Sequence, residues 1–349
     1  MRAMTQRWGV GLVGSGLVTR SIHIPALAAL GDLFALRSLW DVNPALAQAT
    51  AASCGAQAAP SLEAMLADPA IDVVMIGSPA QFHAGQAIAA LRAGKKAVLV
   101  EKPLCSTPQE AEDIAQVARE TGGLVLVGAM HLFDPAWRFM EQQVAAQDSA
   151  PSLIRSCIIL PPNGRFDQWA SEEILPPPPA GSPPLLRSEV MMMEGAIMGL
   201  AIHDLPLVRR LLRDDAGVQV TSAKRLSPFG YMLSIKAGEQ LVDLFAFMHG
   251  HWRPEWTLTA TALDWQAHAE FTPSFVMAGS GSASFTAKGA SHAMIPQADN
   301  GYAGEWQAIA AFLSGEAAPP DPQDVVRDFL FAHAIAQQAC ALVAKEMAQ

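Results

Sequence analysis

The chain has 349 residues, of which 51% are hydrophobic and 16% charged, and its formal net charge is −10. That length fits two domains and that composition fills a sizeable core, which excludes an intrinsically disordered chain. The acidic balance argues against nucleic acid as a partner, because phosphate contacts need clustered lysine and arginine.

The first part of the chain alternates short apolar runs with helical patterns. Trp8–Val13 reads as a buried strand; glycines at 11, 14 and 16 break the apolar run, which argues against a signal peptide. Leu17–Leu30 reads as a helix interrupted near Pro25, and Phe34–Trp40 as a second strand ending at Asp41. Pro44–Ser53 is a predicted helix with Asn43 as N-cap and proline at its first position. Ile71–Ile76 is a third strand, closed by Ser78-Pro79, and Phe82–Ala93 a helix stopped by Gly94. Ala97–Val100 is a fourth strand running into Glu101-Lys102-Pro103. Thr107–Glu120 is a helix with a capping box between Thr107 and Glu110, and Leu124–Val127 a fifth strand. Such alternation means a parallel sheet covered on both faces.

After about Asp134 the pattern changes. A helix over Pro135–Gln147 leads to a strand at Leu153–Leu160, and Pro161–Leu186 is so rich in proline that it reads as a surface excursion, either a lid or an ordinary variable loop. A helical region around His203 follows. Then come strand-like runs at Val218–Leu226, Tyr231–Lys236, Leu241–Met248, Trp256–Ala262, Trp265–Phe271 and Ser282–Ala287. Consecutive strands without intervening helices mean an antiparallel or mixed sheet. Helices at Gly304–Leu313 and Asp324–Lys345 close the chain. The expected fold class is α/β. A doubly wound Rossmann domain over 1–133 precedes a C-terminal α/β domain over 134–349, built on a large, mostly antiparallel sheet.

The first motif with chemistry is GLVGSGLVT, Gly11 to Thr19, between a strand and a helix. Gly14 and Gly16 let the backbone turn tightly and approach a pyrophosphate, and the following helix start offers free N–H groups. Asp41, ending the next strand, is placed to bond ribose hydroxyls and to repel a 2′-phosphate, which favours NAD(H) over NADP(H). The plain alternative is a glycine-rich turn with a surface aspartate. The second motif is VLVEKPL, Val98 to Leu104, which puts Lys102 at the carboxyl edge of the sheet, where open α/β sheets bind ligands. There a lysine can bond a substrate hydroxyl and stabilise alkoxide charge; a solvated lysine after a strand is the alternative.

The stretch GSPAQFHAGQAIAALRAGKKAVLVEKPL resembles the nucleotide-domain core of the Gfo/Idh/MocA oxidoreductases. The likeness extends through VGAMHLFDPAW, the His203 region and WQAIAAFLSGEAAPP. The resemblance implies hydride transfer between a nicotinamide and a carbinol carbon of a sugar, inositol, glycoside or related polyol. It implies Lys102 and His203 as the catalytic pair, His203 taking a proton and Lys102 holding the oxygen. The expected cofactor-binding set is Gly11, Gly14, Ser15, Gly16, Leu17, Asp41, Ser78, Pro79, His83, Glu101 and Lys102. His131, Glu194 and Gly199 are substrate-side candidates, Glu194 only if it lies in a loop. A homodimer or homotetramer is expected by the same analogy. Three positions depart from the family pattern: Gly199 and Pro206 stand where aspartates are common around the histidine, and Ala80 where an asparagine closes the turn after Ser78-Pro79. They motivate two rivals, a cofactor-binding sensor without catalysis and a reductase acting on a bulky non-sugar substrate.

Residues 199 and 203 are expected to share a helix face, so that Gly199 opens space beside His203. Asp204 is expected to cap a helix starting at Leu205-Pro206. His249 and His251 suit a sheet face or loop better than a metal, since no carboxylate or cysteine partner is near in sequence. Met191–Met193, Trp169, Trp252 and Trp256 are read as core filling before pocket lining. The four cysteines form no CxxC pair, so no metal is expected and free thiols in a cytoplasmic setting follow. No apolar run is long enough to span a membrane.

Overall fold

The Rossmann-type alternation builds a parallel sheet in the first third of the chain, and the strand-rich remainder builds a second sheet. The structure is a computed structural model and describes residues 7–161, 188–248 and 253–348. The chain divides into two units: Met1–Ala129 with Tyr302–Phe329, and Met130–Gly301 with Leu330–Gln349.

In the first unit the strands are β1 (Trp8–Val13), β2 (Phe34–Trp40), β3 (Gln57–Ala58), β4 (Val73–Ile76), β5 (Ala97–Val100) and β6 (Leu124–Val127). Their order is β3-β2-β1-β4-β5-β6, all parallel. Every residue of β1, β4 and β5 is buried, which is why they read as unbroken apolar runs. The order reverses between β1 and β4, the switch point at whose carboxyl edge ligands bind in such sheets. Local signals end the helices. Asn43 caps Pro44–Cys54 by accepting from the Ala45 and Leu46 amides, and Thr107 with Glu110 forms the predicted capping box. The helix Leu62–Ala67, capped by Ser61, and the two-residue β3 are absent from the sequence reading because each is too short for a periodic signal. The predicted single helix over 17–30 is a π-turn at Thr19–His23 followed by a short α-helix, Ile24–Ala29, with Pro25 in its first turn.

The second unit carries eight strands: β7 (Leu153–Leu160), β8 (Gln219–Arg225), β9 (Phe229–Ala237), β10 (Gln240–Met248), β11 (Glu255–Thr261), β12 (Trp265–Glu270), β13 (Ser282–Ala287) and β14 (Ala290–Ala293). Their order is β14-β13-β12-β11-β7-β10-β9-β8. All pairs are antiparallel except β7 with β10. Side chains alternate along β7, so Ile154, Ser156, Ile158 and Leu160 are buried while Arg155 is exposed. The buried face packs on the helices and the other face stays partly open, with Met232 and Leu241 each about half exposed.

The helical region around His203 breaks differently from the prediction. An α-helix, Glu189–Gly199, ends at Gly199, a 3-10 turn covers Ala201–His203, and a second α-helix runs over Leu205–Leu211. The α-helical spacing of four is therefore interrupted between Gly199 and His203. Glu194 lies inside the first of these helices and is exposed, so the loop that would have made it a substrate carboxylate does not exist. Residues 162–186 of the proline-rich excursion, with Trp169, lie outside the described residues, as do His249, His251 and Trp252. No single helix among the described residues is long and apolar enough to cross a membrane.

Candidate active site

The glycine loop leaves the carboxyl end of β1. Gly14 has φ +91° and sits so close to the end of β4 that a Cβ would lie 2.9 Å from the Gly77 carbonyl. Only glycine fits there. Gly16 is different: it is exposed, and a Cβ there would meet nothing nearer than the Gly77 oxygen at 3.8 Å. Protein packing does not demand glycine at 16, whereas an approaching pyrophosphate would. Leu17 beside it is partly buried, and the chain begins to coil at once, the Arg20 amide bonding the Gly16 carbonyl at 3.1 Å.

Asp41 is joined to this loop directly. One carboxylate oxygen accepts from the Ser15 amide at 2.7 Å and the other from the Asn43 amide at 2.8 Å. Each oxygen keeps a further lone pair, so the carboxylate both shapes the loop and can accept from ribose hydroxyls. The loop and acid fit a dinucleotide.

Two predicted cofactor residues have other jobs. Gly11 lies within β1, where a Cβ would stand 3.2 Å from the side chains of Ile71 and Met65, so it is a packing glycine. His83 is buried, with Nε2 at 2.7 Å from the Ser78 carbonyl and Nδ1 at 2.8 Å from the Pro103 carbonyl. It ties the end of β4 to the turn after β5, leaving neither nitrogen for a ligand. Ser78 is half-buried with its hydroxyl on Gln86, and Pro79 is exposed.

The Lys102-Pro103 bond is cis. Burial pulls the Lys102 ammonium below its ordinary range, and the neighbouring Glu101 charge draws it part of the way back. For Glu101, burial works to raise the carboxyl. The hydrogen bond from His23, with the charge of Lys102, outweighs burial and holds it below the ordinary range. Glu101 Oε1 lies 3.0 Å from His23 Nε2, and Oε2 accepts from the Lys102 amide at 3.1 Å. Sequence reasoning missed His23. The histidine in SIHIPAL, just past the glycine loop, was the available signal.

In the second unit the carboxylate of Asp204 is a hub, not a helix cap. It makes no capping hydrogen bond to the helix Leu205–Leu211. Instead it accepts from the Ser156 hydroxyl at 2.6 Å and from the Trp256 indole at 2.9 and 3.0 Å, and it lies 3.1 Å from His131 Nδ1. A carboxylate oxygen at Nδ1 fixes the proton there, which leaves His131 Nε2 as a bare acceptor. That nitrogen is buried, with no hydrogen-bond partner among the described residues. His131 stacks on Phe271 at 4.1 Å between ring centroids. His203 is buried and packs edge-on against Trp256 at 5.4 Å, with the His131 ring 6.0 Å away. The Asp204 hub thus fixes the surfaces against which His203 rests. Among the described residues a Cβ at Gly199 would meet only Phe229, at 3.9 Å, so there is room for a side chain to start at this position. The buried Tyr231 hydroxyl has no hydrogen-bond partner among the described residues, and burial, with the charges of Asp204 and Cys157, pushes this phenol well above its usual range.

Residues 8–129 match the family described as oxidoreductase family, NAD-binding Rossmann fold, known as Gfo/Idh/MocA. Among curated proteins, a 1,5-anhydro-D-fructose reductase from Ensifer adhaerens is 30% identical over 214 residues, covering 60% of this chain and 57% of that protein. An inositol 2-dehydrogenase from Saccharopolyspora erythraea is 29% identical over 150 residues, covering 43% of this chain and 44% of that protein. The chain thus spans about half the length of these relatives. Among solved structures, UDP-N-acetylglucosamine 3-dehydrogenase from Acidithiobacillus ferrooxidans aligns with TM-score 0.72 at 20% identity, over 97% of this chain and 99% of that one. At that identity the likeness is one of fold.

Proposed function

We propose that this chain, whose residues 8–129 belong to the Gfo/Idh/MocA oxidoreductase family, is an NAD(H)-dependent oxidoreductase. It interconverts the carbinol and carbonyl forms of a sugar, inositol, glycoside or related polyol. The observation that carries this reading is the carboxyl edge of the parallel sheet, where the Gly14–Gly16 turn, the Asp41 carboxylate and Lys102 follow the ends of β1, β2 and β5. Gly14, Ser15, Gly16 and Leu17 would hold the pyrophosphate and Asp41 the ribose, with Ser78 and Pro79 at the rim. The Asp41 carboxylate favours NAD(H); NADP(H) is the second cofactor to test.

Bound cofactor supplies the hydride acceptor in the oxidation direction. Lys102 holds the substrate oxygen, and its ammonium form stabilises the charge that grows there. Burial makes that ammonium easier to deprotonate, and the Glu101 charge beside it favours the charged form. His203 accepts the hydroxyl proton, its ring held against Trp256. The substrate class follows the names of the relatives, which act on 1,5-anhydro-D-fructose and inositol. The half-exposed apolar residues on the open face of the second sheet support a homodimer or homotetramer. Free thiols support a cytoplasmic setting.

The test is a panel of inositols, aldoses, glycosides and 1,5-anhydro-D-fructose, each with NAD(H) and NADP(H), followed by nicotinamide absorbance. Turnover on at least one member with NAD(H) is expected. Tight NADH binding with no turnover on any member would replace this reading with the cofactor-binding sensor that Gly199 and Ala80 suggest.

A further inference from the structure

His23 is the last residue of the π-turn behind the glycine loop and is fully buried. Its Nδ1 accepts from the Trp306 indole at 3.2 Å, and an indole nitrogen can only donate. The proton of the neutral ring is therefore on Nε2, which donates to Glu101 Oε1 at 3.0 Å. With Oε2 taken by the Lys102 amide, both carboxylate oxygens are engaged. Gly128 packs close, since a Cβ there would lie 3.0 Å from Glu101 Oε1, so the carboxylate has one seat.

Trp306 stands on the helix Gly301–Leu313, packed edge-on against His23 at 5.9 Å and Phe34 at 5.2 Å. The same helix brings Glu305 within 3.9 Å of His23 Nδ1. Both Glu305 oxygens are buried without a hydrogen-bond partner among the described residues. Burial, then the Glu101 charge, pushes the Glu305 carboxyl well above its ordinary range. Both effects disfavour a second negative charge beside Glu101 and His23. The titratable group that bears on Lys102 is Glu101, and Glu101 in turn is faced by His23 and Glu305.

We propose that His23 is a positioning residue for Lys102: locked by Trp306 in the Nε2–H tautomer, it holds the Glu101 carboxylate in its seat and so fixes the negative charge beside the lysine. Because His23 follows directly from the glycine loop, the same contact ties the cofactor loop to Lys102. The inference rests on the reading of Lys102 as the residue that holds the substrate oxygen.

The test reads Lys102 itself. Lysines of the full-length protein are reductively methylated with 13C, and the Lys102 resonance, assigned by its loss in Lys102→Met, is titrated by NMR. In the native protein it titrates below the ordinary lysine range. In His23→Leu the carboxylate, freed of its donor, turns its charge to the ammonium, and the midpoint rises by roughly one unit. Trp306→Phe removes the indole N–H while keeping an aromatic ring, at the cost of a small cavity, and moves the midpoint the same way. It carries the test if His23→Leu does not fold. His23→Gln, whose amide can donate to Glu101, restores the native midpoint, and Glu305→Gln leaves it unmoved. A midpoint unmoved or lowered in folded His23→Leu and Trp306→Phe overturns the proposal. Failure of the catalytic reading would show elsewhere, as full turnover by Lys102→Met.

Discussion

Replacing Asp204 by asparagine probes the hub that surrounds His203. The carboxylate takes donors from Ser156, Trp256 and His131, all buried. An amide keeps one acceptor oxygen and turns an NH2 group toward the remaining donors. At least one donor then loses its partner, and the amide's own hydrogens face another donor. Each stranded buried polar group costs about 1–3 kcal/mol, so Asp204→Asn should destabilise the second unit by about 2–4 kcal/mol. Asp204→Leu strands every donor and should cost more, of order 3–6 kcal/mol. Ser156→Ala removes a single donor and should cost about 1 kcal/mol. Urea unfolding followed by tryptophan fluorescence and circular dichroism measures all of these. A loss below about 1 kcal/mol for Asp204→Asn would mean the carboxylate is not the hub described, and the argument for a fixed His203 ring would go with it.

The two loop glycines separate packing from ligand space. Gly14→Ala should destabilise the fold and abolish NADH binding, because its Cβ meets backbone at 2.9 Å. Gly16→Ala should melt like the native protein yet bind NADH at least about tenfold more weakly, by the close pyrophosphate approach such turns require; fluorescence titration measures both. Glu305→Gln should stabilise the protein near neutrality and not at low pH. A carboxyl raised in the folded state binds a proton that the unfolded chain releases above its ordinary value of 4.5, so native stability falls as pH rises through that window. Paired melts at acid and neutral pH check the sign. Glu101 runs the other way, since its folded value is depressed. Its contribution is present above 4.5 and is lost as pH falls through the folded value, so Glu101→Gln should lose its destabilising effect in acid. Cys105 and Cys157, both pushed up to about 12 by burial, should resist iodoacetamide in the folded protein, which peptide mapping checks.

Much of this architecture is written locally. β5 and β6 have the bounds their apolar runs predict, and Asn43, Thr107 and Glu110 announce helix starts because capping depends on residues three apart. Gly14, Gly16 and Lys102 could be picked out because a turn and a strand end are short-range events. The polar networks could not. Asp204 has a strong local reading, an acid just before Leu-Pro, and it loses to partners 48, 52 and 73 residues away in sequence. His23 bonds Glu101 across 78 residues and Trp306 across 283, so no window of sequence contains the relationship. Gly11 misleads for the opposite reason: it continues the glycine pattern but serves the packing of β1 on Ile71 and Met65.

Hydride transfer itself is tested most directly with NADH deuterated at the transferring position and a keto substrate drawn from the panel, in the native protein and in Lys102→Met. The account predicts deuterium on the carbinol carbon of the product in the native protein, and its loss in Lys102→Met with NADH affinity unchanged. Undiminished transfer by Lys102→Met, or tight NADH binding with no transfer to any substrate, would contradict it.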